Sequence, residues 1–107
     1  MVKDLFFVAR IRETARLAGV DVTFARTPEE IEQVVTRRAA FALVDLTSPL
    51  DHETILSRLE RAGVPVLGFT THALARQTQP WHPRCQRVVT KETLTRELGE
   101  LLQRGPA

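Results

Sequence analysis

The apolar residues of this chain fall into short blocks separated by charged, helix-like stretches. LFFVA, after Asp4 in residues 4–9, is a continuous apolar run short enough to be a strand buried on both faces. Over residues 10–18, Ile11, Ala15 and Ala18 share one helical face, and Gly19 stands where a C-cap belongs. Val20, Val22 and Phe24 then alternate with polar neighbours across residues 20–25, as in a less central strand. Thr27-Pro28-Glu29-Glu30 predicts a helix start, with Thr27 as cap, Pro28 at the first helical position and Glu30 completing a capping box. That helix turns Ile31, Val34 and Val35 inward and ends near Arg38.

FALVDL, residues 41–46, is the third predicted strand, broken by Ser48-Pro49. A helix over 52–62 packs Ile55, Leu56 and Leu59 before Gly63 stops it. VPVLGFTT, residues 64–71, is the fourth strand. HALARQTQ is a short helix that ends by Gln79, because Pro80 and Pro83 cannot continue it. RVVT, residues 87–90, is the fifth strand, and a last helix over 92–103 carries Leu94, Leu98, Leu101 and Leu102 at helical spacing. Residues 104–107 read as the frayed end of one domain spanning 1–107.

Five strands separated by helices predict an α/β fold of three layers, a doubly wound parallel sheet in the order 2-1-3-4-5, flavodoxin-like. In that order the first and third strands flank the switch point where such sheets bind ligands. Asp45 closes the third strand, so its carboxylate falls at that crevice.

Composition narrows the function without choosing it. A net charge of +2 with Arg and acidic residues interleaved, as in RIRETAR and LSRLERAG, describes an ion-paired surface and not a nucleic-acid stripe. The single cysteine, Cys85, excludes an internal disulfide and a cysteine-based zinc site, and reads as a semi-buried apolar residue. No run approaches the roughly 20 apolar residues of a membrane span, and the start lacks a signal-peptide core, so a cytoplasmic location is the expectation.

Three stretches carry a family resemblance. ALVDLTSP resembles the strand bearing the phosphorylated aspartate of two-component receiver domains, with Asp45 at the acceptor position. VPVLGFTT resembles the strand ending in the switch hydroxyl, Thr70, and RVVTK the strand ending in the lysine, Lys91. FFVARIRE, however, has Ala9 and Arg10 where a receiver keeps its magnesium-binding acids, and Glu92 follows Lys91 in place of proline. The resemblance is thus to a degenerate, stand-alone receiver, similar to small receiver-like proteins sharing the FFxxRIRETA and VLGFxxH stretches. It implies a response-regulator-like signal-transduction module acting through protein contacts, with a protein partner or as a homodimer, and neither metal nor cofactor. Phosphorylation of Asp45 is disfavoured, since the acidic pair that would hold magnesium to neutralise the developing charge is missing.

Arg10 and Lys91 would then bracket Asp45; the plainer reading is that Asp45 caps the turn after its strand. A second function is binding of a small anion or phosphometabolite by Arg10, Thr70, His72 and Lys91; a third is weak phosphoacceptance at Asp45. Trp81, with Arg84 and Arg87, would form a partner surface, against the alternative that Trp81 covers the edge of the core. Neither a nucleophile elbow near Thr47 and Ser48 nor a phosphate-cradling glycine loop is present, so the chain is not read as an enzyme.

Overall fold

A computed structural model describes residues 5–25, 27–36, 39–49 and 51–106, with the side chains at 5, 6 and 28 outside that description. The expectations placed on Asp4, Arg38 and Ala107 therefore lie outside the described residues. The helices are α1 (Leu5–Ala18), α2 (Pro28–Thr36), α3 (His52–Arg61), α4 (Ala75–Thr78), α5 (Lys91–Arg96) and α6 (Leu98–Arg104). The strands are β1 (Ala42–Asp45), β2 (Val66–Thr70) and β3 (Arg87–Thr90), and a 3-10 helix (Gln79–Arg84) leads into β3.

All three strands are parallel, in the order β1-β2-β3, with Asp45 registered on Phe69 and Thr70 on Thr90. The five-stranded 2-1-3-4-5 sheet is therefore corrected to a three-stranded sheet among the described residues. The two missing strands fail for different reasons. The LFFVA run continues into a helix because Phe7, Ile11 and Ala15 recur every four residues and all are buried. A strand boundary drawn at Arg10 cuts that stripe in half. Residues 20–25 do alternate, with Val20, Val22 and Phe24 half-buried and Asp21 and Thr23 exposed, but no ladder forms there.

β2 separates two cores. Leu67 and Phe69 point to one face, where α1, α5 and α6 contribute Phe7, Ile11, Leu94, Leu98 and Leu101. The Phe7 and Phe69 rings meet edge to face, 5.5 Å between centroids, the arrangement favoured by their quadrupoles. Val66 points to the other face with Val44 and Leu46, under Ile31 of α2 and Ile55, Leu56 and Leu59 of α3.

Local chemistry sets the helix ends. The Glu30 N–H donates to Thr27 Oγ1 at 3.2 Å, the cap that starts α2. Asp51 caps α3: its carboxylate accepts from the hydroxyl and the N–H of Thr54, and these bonds hold its carboxyl below the usual aspartate range. The last helical stretch is broken at Glu97 into α5 and α6. Gly105 ends α6 at φ +72°, its N–H on the Leu101 carbonyl, and a Cβ there would lie 3.0 Å from the Phe41 ring. Residue 105 is buried against β1's entry.

Candidate functional site

The acid that closes β1 is 3% exposed. Its Oδ1 accepts the Thr47 N–H at 2.9 Å and the Thr47 hydroxyl at 2.5 Å, a side-chain turn formed by residues two apart. Its backbone carbonyl accepts from Ser48, through both N–H and hydroxyl. Asp45 thus ends the strand and closes its turn with its own neighbours.

The other predicted site residues sit on different elements. Arg10 lies exposed in the middle of α1, and no ion pair joins it to Asp45 among the described residues. Lys91 opens α5 with its ammonium 5.1 Å from the Phe7 ring centroid. His72 is exposed in the turn after β2. Thr70 ends β2 and is buried. The structure brings Asp45, Thr70 and Lys91 to the carboxyl end of the sheet, with His72 in the turn just beyond β2, while Arg10 sits on α1.

Thr70 instead joins a buried chain that its sequence position did not announce. Its hydroxyl lies 2.9 Å from Thr78 Oγ1, which lies 2.9 Å from His82 Nε2. Thr78 Oγ1 also donates to the Ala75 carbonyl at 3.2 Å. A hydroxyl has one proton, so Thr78 can donate to only one of these three neighbours and accepts from the rest. Nearby, His52 is 7% exposed and its Nε2 lies 2.9 Å from the Ser48 carbonyl. A carbonyl only accepts, so this nitrogen is the donor; Nδ1 has no partner among the described residues. The His52 ring rests 5.7 Å from Trp81, which packs against the second core.

Arg84 fastens this corner. Its guanidinium donates to Glu53, Ser57 and Glu60, three positions on one face of α3, and pairing with those carboxylates raises its already high pKa. Arg87 is exposed on β3. The 3-10 helix is thereby held against α3, with Trp81 turned toward the core beneath it.

Cys85, at the end of the 3-10 helix, is half-buried, and burial pushes its thiol above the ordinary value. The expected result is slow alkylation of the native protein by iodoacetamide at pH 8, at least several-fold slower than in denaturant, measured by intact mass. Equal rates would show that the thiol is open to solvent.

The carboxyl ends of the strands therefore hold a polar network turned in on itself. Among the described residues, no group of three or more His, Cys, Asp or Glu is disposed to hold a metal ion. The open feature of the molecule lies elsewhere, along β1. A cavity of about 1130 Å³ is lined by Val20, Val22 and Phe24, by Val34, Val35 and Ala39, and by β1 itself. Leu43 belongs to one core and Val44 to the other, and both line this cavity. A space touched from both faces of a sheet must lie beyond its edge strand. Residue-by-residue chemistry could not have pointed to it; the signal is an alternating segment left without a strand partner.

The chain matches no protein-family model, no curated protein and no solved structure. The receiver resemblance fails on topology. A receiver module needs a strand beside β1 whose end forms the acceptor crevice, and residues 5–10 are helical. The response-regulator-like, signal-transduction and flavodoxin-like descriptions fall with it, as do the anion-binding and phosphoacceptor roles built on that crevice. No helix among the described residues is long and apolar enough to cross a membrane.

Proposed function

We propose that the protein is a binding module whose ligand is elongated and apolar, and lies in the groove along the outer edge of β1. The observation that carries this is the cavity itself: about 1130 Å³, reached by side chains of both cores. Ligand pockets typically enclose about 300–1,000 Å³ with mostly apolar walls and a few polar groups. Here the walls are Val, Ile, Leu and Phe with Ala, Pro and Gly between them, and the polar side chains are confined to Asp21, Thr23, Gln86, Gln103 and Arg104. Such a lining rewards burial of hydrocarbon, at about 25 cal/mol per Å² removed from water.

Ala39 lines the groove at the point where the chain leaves α2 for β1. Ala39→Phe adds bulk to empty space, so the expected result is at least tenfold weaker binding of dodecanoate by calorimetry, with an unchanged or raised Tm. Binding equal to that of the unaltered protein would remove the groove as the site.

A further inference from the structure

The walls of the groove are apolar, but its mouth carries charge. Phe24 and Ile11 both line the cavity. Arg12, the residue after Ile11 on α1, is exposed and holds its guanidinium carbon 4.9 Å from the centroid of the Phe24 ring. Phe24 is half-buried, so its contact with Arg12 marks a place where the apolar wall meets water. The negative face of the ring steadies the cation there.

The neighbouring cations are already matched. Arg104, on the cavity lining, pairs with Glu100 at 3.0 Å, and Arg16, one turn beyond Arg12 on α1, pairs with Glu13. Among the described residues no carboxylate pairs with Arg12, whose contact is with the Phe24 ring. That contact does not exhaust the group, because a guanidinium has several N–H donors and no acceptor. An anion at the mouth of the groove would therefore meet a donor fork held in place beforehand.

Asp21, exposed on the same lining, is the competing charge and would favour an ammonium head. Two properties favour Arg12. Its planar fork matches a carboxylate with two parallel hydrogen bonds, a geometry that a single ammonium on Asp21 does not have. The ring contact also restricts the side chain in advance, which lowers the entropy lost on binding.

We infer that the ligand of the groove is an amphiphile with a carboxylate head, its hydrocarbon lying along β1 and its head held by Arg12. This rests on the groove reading and goes further by naming the head group. The division of labour is simple. Burial of the tail supplies most of the affinity, and the exposed ion pair supplies the choice of head. An alcohol of the same chain length fills the groove equally and leaves the fork unanswered.

The experiment is calorimetry on the full chain with dodecanoate, dodecanol and dodecylammonium, each below micelle formation. It is repeated on Arg12→Gln, which removes the charge, and on Arg12→Lys, which keeps it. The expected result is that the parent protein binds dodecanoate about fivefold or more tightly than dodecanol, as an exposed ion pair allows. Arg12→Gln should abolish that preference with dodecanol binding unchanged, and Arg12→Lys should keep part of it. Equal affinity of the parent for dodecanoate and dodecanol overturns the carboxylate head and leaves the groove standing. Tightest binding of dodecylammonium does the same and gives the head to Asp21. A preference that survives Arg12→Gln overturns Arg12 as its holder. An equal fall for dodecanol and dodecanoate in that variant also overturns it, since Arg12 would then only prop the Phe24 wall. Failure of all three ligands overturns groove and head together.

Discussion

Replacing Leu67 by alanine is expected to destabilise the fold by about 3 kcal/mol, within the roughly 2–5 kcal/mol span of buried leucine truncations. Leu67 is 0% exposed in the central strand, registered on Leu43 to one side and Arg87 to the other. Its side chain lies in the core that joins α1, α5 and α6 to the sheet. Truncation loses the transfer energy of the missing carbons and leaves a hole that neighbours on β1 and β3, fixed by their ladders, cannot close. For a domain of this size that is a fall in Tm of roughly 10–20 °C. Urea unfolding followed by circular dichroism measures it. A midpoint within experimental error of the parent's would mean that this side chain is not where the core is tight.

The same position shows why the centre of the fold was legible in the sequence and its start was not. FALVDL, VPVLGFTT and RVVT are bounded by Ser48-Pro49, Gly63 and the Thr90 cap, and strands lie within all three. The Thr27-Pro28 start of α2 and the Gly63 stop after α3 are likewise local chemistry. At LFFVA no such punctuation exists before Gly19, and a short apolar run is compatible with either periodicity. The buried spacing Phe7, Ile11, Ala15 decides for helix, and it appears only when the run is read together with the charged residues beyond it. Residues 20–25 have the alternation of a strand, but a strand exists only by pairing, which a pattern within one segment cannot supply.

The candidate site follows the same division. That Asp45 would close a strand could be read from FALVDLTSP; that its partner is Thr47 follows from turn chemistry available in the same stretch. The bracket by Arg10 depended on a first strand, and the helix removes the geometry. Thr78, His52 and His82 had no motif to mark them, because their contacts are made by the 3-10 helix folding back over α3 and the end of β2. The groove was invisible for a further reason. Among the described residues no strand lies next to β1, and that is a property of the assembled sheet and of no single residue.

Gly68→Val tests the packing of the opposite face and carries the second large effect, a loss of about 2 kcal/mol in the range of overpacked cores. Glycine inside a strand ordinarily weakens it, and its presence marks a place where something approaches the backbone closely. Here a Cβ would lie 3.0 Å from Cys85 Sγ and 3.0 Å from Leu46 Cδ1, and valine would drive two further carbons into them. Leu46 is buried and Cys85 is fixed by its N–H on the His82 carbonyl, so neither side chain retreats freely. The glycine is the notch that lets the 3-10 helix, with Trp81 and Arg84, settle on the sheet. Removing the sulfur should therefore recover part of the loss: Cys85→Ala is expected to cost less in the Gly68→Val background than alone. A double-mutant cycle in urea measures that coupling, and strictly additive losses would show that the notch does not serve Cys85.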